Sequence, residues 1–536
     1  SLHDALPILV VSNYFYQIMK VIPHFREEKV FPWFSNENGY FRGFIFKDSG
    51  ECLTGKPALE YLIQRHLDSP NSIPKNWNGC FSAALFLNHA VVLMADAVSA
   101  FPLFYLVAEQ HCAIGDDARQ LAEFLQLTRR EDTLHFEIFS ICPGNETLYT
   151  GVIQVLAGQS IVIQNRQIKN EIHGEIGAVA QSDGQSTQTV WDGVIDRLLS
   201  SAKPSHWVIP LSGGWDSRLI LASLWSRGVR NIVTYTYGDI SSFEVKEAQR
   251  VANHLGVEWH WVNYDETLLS LWDSEEVQQY LKSQTRGFIS PQEQELFALL
   301  ELRNKGVIDK GCIALPGYCG DLLAGSYTIP GIKAYSPWDG KMVAAWMHAK
   351  HLSFIDEFPV QQEAMGLLNN QWQTIGEGRF DTWLVGYENW FTQQKVSKYI
   401  LSGLRSFEHV GLEWRIPMWD RKWMNHWYSQ PHEKRWNRQA FKQWATASYF
   451  KPLGIEVVEH EQAESSMKSW KSMIRVKYPR LFACIKSMRF WRNASDINNA
   501  QYLEKRIGST LIQQGVQPRI QKLNPLIAQY ILSRGW

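Results

Sequence analysis

Strand-like and helix-like segments alternate in the middle of the chain, and this alternation limits the fold more than any other feature. Two segments, 217–228 and 243–256, have the apolar spacing of amphipathic helices, and each ends at a glycine. Short apolar runs typical of buried strands flank them: WVIPL (207–211), NIVTYTYG (231–238), EWHWVNY (258–264) and CIALPG (312–317). Strands that alternate with helices predict a parallel, doubly wound sheet.

The turn after the first of these strands combines two glycines with hydroxyl groups and a carboxylate. Ser212, Gly213 and Gly214 follow the strand, and Asp216 and Ser217 open the next helix. Successive N–H groups at a helix N-terminus bind anions, and glycines let the backbone approach a ligand closely. A carboxylate in the first turn can ligate Mg²⁺ held by the same phosphates. The turn therefore predicts a pyrophosphate-binding loop, although it lacks the lysine of a Walker loop.

The regions on either side have different patterns. Residues 9–170 predict a mainly β domain with two helices, ALEYLIQRHL and ARQLAEFLQL. The strand candidates there are YFRGFIF, CFSAALFL, AVVLMAD, FPLFYLV, CAIGD and QSIVIQ. Residues 171–190 are rich in Gly, Ser and Gln and predict a linker. From about 335 the pattern is helical and rich in tryptophan, which we interpret as core side chains, and 431–536 is expected to be a helical extension. Residues 1–8, SLHDALPI, resemble a translated adapter read and are expected to be non-native.

Composition narrows the class of protein. A chain of 536 residues is expected to form at least two domains. Its formal net charge of −1 offers no field that attracts nucleic acid or an acidic membrane. The seven cysteines form no CxxC pair, which favours reduced thiols in the cytoplasm over disulfides or a zinc site. No apolar run has membrane-spanning length, so we expect no membrane insertion, and homodimer formation is left open.

The SGGWDS turn resembles the PP-loop of ATP pyrophosphatases, which cleave ATP between the α- and β-phosphates and adenylate a substrate. Three further stretches resemble asparagine synthetases, in the order of that family: SSFEVKEAQRVANHLGVEWHWV, LPGYCGDLLAGSY and LEWRIPMWD. The first carries Glu244, and the last, at 412–420, carries Glu413, Arg415, Pro417 and Asp420. Upstream, WNGCFSAALF, ADAVSAFPLFY and TLYTGVIQVLAGQ resemble closing strands of the family's amidotransferase domain.

This resemblance implies α/β plus α+β architecture with two main domains. Residues 9–170 would form an Ntn-type, β-sandwich-like domain. Residues 191–430 would form the parallel-sheet PP-loop domain, of the adenine nucleotide α-hydrolase-like type, with 431–536 as its helical, Trp-rich extension.

The resemblance also implies a set of site residues for ATP and Mg²⁺. Adenine would lie near Leu211 and Tyr237, and Gly317 would join the SGGWDS loop in binding the phosphates. Asp216 and Asp321 would hold Mg²⁺. The catalytic lysine would be one of three residues, namely Lys451, Lys468 or Lys471.

Two departures from the family pattern bear on the reaction. Family members that use glutamine begin with a free Cys followed by Gly, whereas here Arg42 precedes Gly43. The resemblance therefore implies a degenerate amidotransferase domain, as in β-lactam synthetases and lasso-peptide cyclases. Tyr318 stands where asparagine synthetases usually have Glu, and β-lactam synthetases use a Tyr there as part of a base. Leu322 also replaces a family Glu. Glu357 and Glu363 are candidate partners of Tyr318.

The function implied is an ATP-dependent amide-forming ligase. It would adenylate a small-molecule or peptide carboxylate, release pyrophosphate, and pass the acyl group to ammonia or an amine with release of AMP, without glutaminase activity. Three alternatives stay open: intramolecular lactam or macrolactam synthesis, glutamine-hydrolysing asparagine synthesis, and nucleotide binding without turnover.

Overall fold

The structure is a computed structural model. The residues it describes are 20–68, 77–87, 90–108, 111–164, 166–172, 184–318, 320–325, 362–363, 366–367, 383–456, 496 and 498–536. In this part of the chain, no helix is both long enough and apolar enough to cross a bilayer.

Residues 20–172 form two β-sheets and three helices. The strands are β1 (Lys20–His24), β2 (Phe34–Asn36), β3 (Gly39–Phe46), β4 (Cys52–Thr54), β5 (Asn78–Leu87), β6 (Ala90–Ala95), β7 (Phe104–Val107), β8 (His111–Gly115), β9 (Ile153–Gln154), β10 (Gln159–Gln164) and β11 (Gln167–Ile172). The helices are α1 (Gly55–Leu67), α2 (Ala118–Phe124) and α3 (Leu134–Phe139). All six strand runs and both helices predicted for this region lie in these elements.

The larger sheet has the order β11-β10-β6-β5-β3-β2 with β4 paired to β3, and the smaller has the order β1-β8-β7-β9. Because side chains alternate along a strand, β3 serves two apolar layers. Tyr40 packs with Tyr105 and Ile114 of the smaller sheet. Phe41 packs with Leu59 of α1 on the opposite face. The larger sheet is therefore covered by the smaller sheet on one face and by α1 on the other.

The rest of the described chain is built around a five-stranded sheet. Its strands are β12 (Trp207–Pro210), β13 (Ile232–Tyr237), β14 (Glu258–Val262), β15 (Ile313–Ala314) and β16 (Glu413–Trp414). The α-helices are α4 (Thr187–Ser201), α5 (Trp215–Ser226), α6 (Phe243–Leu255), α7 (Glu266–Leu269), α8 (Glu275–Thr285), α9 (Leu296–Asn304), α10 (Gly320–Leu323), α11 (Trp383–Trp390), α12 (Leu404–His409), α13 (Arg421–Tyr428), α14 (His432–Arg435), α15 (Gln439–Ala445), α16 (Ala500–Gln513) and α17 (Leu523–Ser533). Phe391–Tyr399 and Thr446–Phe450 are π-helical, and short 3₁₀ turns lie at Ser270–Asp273, Ile400–Gly403, Pro417–Trp419 and Trp436–Arg438.

All four strand pairs of this sheet are parallel, and the order is β14-β13-β12-β15-β16. The chain runs outward from β12 to β14 and then returns to place β15 on the other side of β12. This reversal makes the crevice between β12 and β15 a topological switch point, where ligands of such sheets bind. The predicted parallel sheet is confirmed, with a fifth strand, β16, inside the LEWRIPMWD stretch.

Both ends of the range 171–190, expected to be a linker, belong to secondary structure, and residues 173–183 lie outside the described residues. Residues 171–172 complete β11, and α4 begins at Thr187, where the Ser186 hydroxyl accepts a hydrogen bond from Thr189 N–H. The polar composition concealed this start because Ser, Thr and Gln suit a helix N-terminus as well as a loop.

The β-rich part and the parallel-sheet part share one apolar core. Phe101 stacks on Trp414 of β16 with ring centroids 5.3 Å apart, and Phe104 meets Phe288 edge-on at 5.1 Å. Aromatic pairs of this kind contribute beyond their buried area. The two parts are therefore packed directly against each other.

A buried cluster of charges lies in the same interface. Arg42 of β3 is fully buried, and its guanidinium lies 3.3 Å from Asp116, 3.4 Å from Glu28 and 3.1 Å from Glu408. Arg286 reaches Glu28 at 2.8 Å and Asp116 at 3.4 Å. Each carboxylate therefore meets at least one arginine, and Arg42 joins the β-rich part to the segment that precedes β16.

Glu28 is the most informative titrating group of this cluster. Burial by itself raises its pKa, but the charges of Arg286, Arg42 and Arg26 outweigh burial and lower the pKa to about 2. An unfolded glutamate titrates near 4.5. Because the folded value is the lower one, Glu28 stabilises the fold above about pH 4.5 and loses that effect as the pH falls toward 2.

We expect Glu28→Gln to lower the free energy of unfolding by about 3 kcal/mol at pH 7, because it removes one of the carboxylates that compensate the buried guanidinium groups of Arg42 and Arg286. Denaturant unfolding at pH 7, 4.5 and 3 should show the gap between wild type and variant narrowing below pH 4.5. Glu51→Gln, which removes an exposed pair with Lys47, is the control and should change stability by less than about 0.5 kcal/mol. A gap independent of pH, or no gap at pH 7, would contradict the assignment.

Candidate active site

The predicted phosphate loop lies at the carboxyl edge of β12, beside the switch point. Leu211 is buried and its N–H donates to the Tyr235 carbonyl, which extends the sheet pairing up to the turn. Gly214, which has no side chain, precedes the first residue of α5. The Ser212 hydroxyl accepts from Gly214 N–H at 3.1 Å, and Ser212 N–H donates to the Ser217 hydroxyl at 3.2 Å. The two serines thus fold the loop onto the helix start.

Arg218 fixes the orientation of the loop's peptide groups, a role that the sequence analysis missed. This buried guanidinium donates to the carbonyls of Gly213 at 2.7 Å and Gly214 at 2.9 Å. In a trans peptide the N–H points away from the carbonyl, so the Trp215 N–H faces the opposite side of the loop. In the sequence this role is indicated only by the position of Arg218, four residues after Gly214.

A second loop, which follows β15, touches the first one at Asp216. A Cβ on Gly317 would lie 2.9 Å from Ser217 N and 3.2 Å from Asp216 Cβ. A Cβ on Gly320 would lie 2.9 Å from Asp216 Cγ. Only glycine permits an approach this close, so both glycines keep the two loops in contact at the carboxylate.

This geometry does not test the predicted pair of metal ligands. Asp216 lies in the first turn of α5, between the two loops. Asp321 belongs to α10, directly after Gly320, but its side chain is not among the described groups. Joint ligation of Mg²⁺ by Asp216 and Asp321 stays a prediction.

Gly213 is constrained from another side. A Cβ there would lie 2.8 Å from the Glu244 carboxylate and 3.3 Å from Glu244 Cα. Glu244 opens α6, whose N-cap is the Ser242 hydroxyl. The acidic residue selected by the family resemblance therefore lies directly against the phosphate loop.

Tyr318 lies where the second loop meets two other segments. Its carbonyl accepts a hydrogen bond from the Trp419 indole at 2.8 Å. A Cβ on Gly403 would lie 2.8 Å from the Tyr318 hydroxyl and 2.7 Å from Gln292 Oε1, so both oxygens face the same backbone. The candidate partner Glu363 is exposed, and Glu357 falls outside the described ranges.

Tyr237, predicted near adenine, belongs to a buried group of tyrosines and one glutamate. Its ring stacks on Tyr264 at 4.8 Å, and its hydroxyl donates to Glu295 at 3.3 Å. The Tyr235 hydroxyl donates to the other oxygen of Glu295. Burial raises the pKa of Glu295 to about 7, although both tyrosine hydrogen bonds oppose that shift. The adenine contacts of Tyr237 and Leu211 stay predictions.

The asparagine synthase family model matches residues 206–473, half of the 536 residues, and this range contains both loops and Arg218. The chain belongs to the asparagine synthase family. No curated protein sequence matches it. Membership in the family implies an ATP-dependent, amide-forming ligase, and members of the family use ATP, typically with Mg²⁺.

The asparagine synthase resemblance named three candidate lysines, of which the structure describes one. Lys451 is exposed and follows Phe450, whose ring lies 5.4 Å from the Trp215 ring at the start of α5. Lys468 and Lys471 are not described. Lys442 of α15, not selected from the sequence, has its ammonium 5.5 Å from the Trp215 ring centroid. Lys442 is therefore a further cation beside the phosphate loop.

The E-x-R-x-P-x-x-D signature of the asparagine synthase family serves the domain interface in this chain. Asp420 accepts two hydrogen bonds from Arg197 at 2.8 Å and one from Asn78 of β5 at 3.0 Å. The Arg415 guanidinium lies 4.4 Å from the Phe44 ring centroid. The signature thus fastens the parallel sheet to the β-rich part, while its Trp419 holds Tyr318.

We expect Arg218→Ala to weaken ATP binding by about tenfold or more, because charge-assisted hydrogen bonds contribute about 1.5–3 kcal/mol. Arg218→Lys should weaken it too, since an ammonium cannot reproduce the fork that reaches both carbonyls. Calorimetric titration with a non-hydrolysable ATP analogue measures the effect. Arg227→Ala, at the other end of α5, removes exposed pairs with Asp192 and Asp196 and should leave binding unchanged. Equal losses in the two alanine variants would count against a loop-specific role.

Proposed function

We propose that this protein activates a substrate carboxylate with ATP and then transfers the acyl group to an amine or ammonia. The carboxylate oxygen attacks the α-phosphorus, the bond to the β-phosphate oxygen breaks, and pyrophosphate leaves with that electron pair. The nitrogen then attacks the acyl carbon, an amide bond forms, and AMP leaves. The observation that carries the proposal is the meeting of Asp216 with Gly317 and Gly320 at the switch point.

The loop around Gly214 suits an anion. A helix N-terminus carries partial positive charge and N–H groups that point outward along its axis. Arg218 holds two loop carbonyls on its own side, so they do not face a phosphate on the opposite side. Gly213 and Gly214 add no side-chain bulk between the backbone and the ligand. These features together support binding of the pyrophosphate part of ATP.

Asp216 would hold Mg²⁺ beside this loop, with Asp321 as the second expected ligand. The ion, when bound, neutralises negative charge on the phosphate oxygens. The protein would contribute by positioning this ligand. The first turn of α5 and the glycine loop after β15 hold Asp216 between them.

Arg42 supports a nitrogen source other than glutamine. It stands where the family resemblance places the nucleophilic cysteine, and it is fully buried with Glu28, Asp116 and Glu408 around its guanidinium. A guanidinium keeps its charge in proteins and offers no lone pair for attack on an amide. We therefore propose that free ammonia or a substrate amine is the acceptor.

Closure of a lactam by an amine of the same substrate is a second candidate. Tyr318 favours it, because its hydroxyl lies beside Gln292 in a half-buried position next to the second loop. A phenol there can relay a proton from a held amine more readily than it can capture dissolved ammonia. The two candidates differ in product, since intramolecular closure removes one water from the substrate mass and adds no nitrogen.

We expect substrate-dependent ATP–pyrophosphate exchange, and we expect Asp216→Asn to lower it by at least about a hundredfold, since its metal site loses a charged ligand. The assay uses a panel of amino-acid, sugar-acid and peptide carboxylates. Asp196→Asn, which removes an exposed pair with Arg227, should retain wild-type exchange. Exchange that is absent throughout the panel, or unchanged by Asp216→Asn, would overturn the proposal.

The nitrogen source can be tested separately. We expect no release of glutamate from glutamine by the purified chain, with or without ATP, because Arg42 supplies no nucleophile. Amide formation should proceed with ammonium or an amine and should not increase when glutamine is added. Glutamate release in step with AMP formation would show that the chain hydrolyses glutamine.

A further inference from the structure

The segment before α9 passes beside Tyr318 and carries three polar side chains into the interior. They belong to Gln292, Glu293 and Glu295. The Gln292 backbone N–H donates to the Ser402 hydroxyl at 3.0 Å, which ties the segment to the 3₁₀ turn at Ile400–Gly403. A backbone hydrogen bond therefore helps to fix the position of this segment, and the Gln292 and Glu293 side chains are not needed for that bond.

Glu293 is a buried carboxylate that accepts a hydrogen bond from its own backbone N–H but has no ion-pair partner among the described residues. Its side chain belongs to a residue only 4% exposed, and Oε2 accepts no hydrogen bond. Among the ion pairs of the described residues, none includes Glu293 or Glu295. A buried, unpaired carboxylate costs several kcal/mol unless it takes up a proton. Burial accordingly raises the pKa of Glu293 to about 7.

Burial and the charge of Glu293 raise the pKa of Tyr264 and of Tyr280, but both hydroxyls donate to the neighbours of Glu293 in the chain. Tyr280 donates to the Gln292 carbonyl at 2.8 Å, and Tyr264 donates to the Gln294 carbonyl. These two tyrosines flank Glu293 yet satisfy backbone groups on either side of it. Neither hydroxyl donates to Glu293 Oε2, which leaves this oxygen available to another donor.

A second unsatisfied acceptor lies on the same segment. Gln292 Oε1 is buried and accepts no hydrogen bond, and it shares the backbone surface of Gly403 with the Tyr318 hydroxyl. Tyr399, next to that turn, is half-buried, and the Glu293 charge adds to burial in raising its pKa. The segment around Glu293 thus offers acceptor oxygens and aromatic rings, and two of its members, Gln292 and Tyr399, are only half-buried.

We propose that Glu293 and Gln292, with the rings of Tyr264, Tyr280 and Tyr399, receive a cationic nitrogen group of the substrate, an ammonium or a guanidinium. Such a group carries several N–H donors and a positive charge, and it could donate to both Glu293 Oε2 and Gln292 Oε1, which accept no hydrogen bond. One cation, the Lys395 ammonium, already lies 5.9 Å from the Tyr399 ring centroid. Aromatic faces attract the same group through cation–π contacts. The described residues include no set of three His, Cys, Asp or Glu side chains able to hold a metal, so an organic cation fits better than a metal ion.

The inference rests on the proposed function, because the cationic group would belong to the molecule whose carboxylate is activated or to the amine that receives it. Gln292, the neighbour of Glu293 in the chain, faces Gly403 together with the Tyr318 hydroxyl, so the cationic group would bind near the proposed acyl-transfer position. Glu293 is in this sense a specificity residue that binds substrate and takes no part in bond changes.

The test measures charge selectivity of binding in the full chain, in the presence of Mg²⁺ and a non-hydrolysable ATP analogue. The probes are L-arginine against L-citrulline and L-lysine against L-norleucine, which differ within each pair in the cationic group. We expect wild type to bind at least one cationic member about tenfold more tightly than its neutral partner, as for a buried charge-assisted contact. Glu293→Gln should reduce that ratio to about one and leave affinity for the ATP analogue unchanged.

Two further variants separate recognition from folding. Glu293→Asp keeps the charge and should retain the preference with weaker binding, and Glu301→Gln, on an exposed part of α9, should behave as wild type. Glu293→Gln should melt at the same temperature as wild type or higher, because it removes a buried acid that forms no ion pair with another described residue. A preference that survives Glu293→Gln, or wild type that does not distinguish the pairs, would overturn the proposal.

The exchange assay keeps the two hypotheses distinguishable. Exchange that occurs equally with cationic and neutral carboxylates and is insensitive to Glu293→Gln would refute the cationic pocket and leave the ligase proposal standing. Charge-selective binding without any exchange would support the pocket while contradicting carboxylate activation.

Discussion

The contact between the helix start at Asp216 and the glycine loop after β15 is the constraint on which the site depends. It exists because β15 returns beside β12 in a parallel sheet, so the carboxyl ends of both strands open on one crevice. Gly317 and Gly320 allow the approach, and Arg218 orients the loop opposite. The same crevice receives Tyr318, which follows Gly317 directly. The strand order thus brings the predicted phosphate loop, Asp216 and Tyr318 together at one crevice.

The β-rich part contributes to this site indirectly, through the interface. Arg42 is a buried cation whose charge is compensated jointly by Glu28, Asp116 and Glu408, so removal of any one of them weakens that compensation. Asp420 and Arg415 continue the interface toward Trp419, whose indole holds the Tyr318 carbonyl. Strand β3, through Arg42, therefore supports the segment that leads to β16 and Trp419.

The sequence predicts the fold well where local pattern decides it. The strands β12, β13 and β14 and the helices α5 and α6 have strong periodicity and clear ends, such as Gly256, and all were identified. Strand β16 was missed because two residues inside a polar signature leave no alternation to detect. Arg218 and Lys442 were missed for a different reason, since their roles come from contacts made only in the folded chain. The role of Asp420 at the interface was also invisible, because a motif match names a residue without naming its partner.

The two buried sets of charges show how structural and functional groups can be told apart. In the Arg42 cluster each carboxylate has a cationic partner, and the pKa of Glu28 falls to about 2, which is the sign of a group that stabilises the fold in its charged form. At Glu293 the pKa rises to about 7, which shows that the fold disfavours its charge. A buried acid whose charged form destabilises the fold does not serve stability in that form. A role in ligand binding explains its presence more simply. The first set therefore belongs to the interface, and the second to substrate recognition.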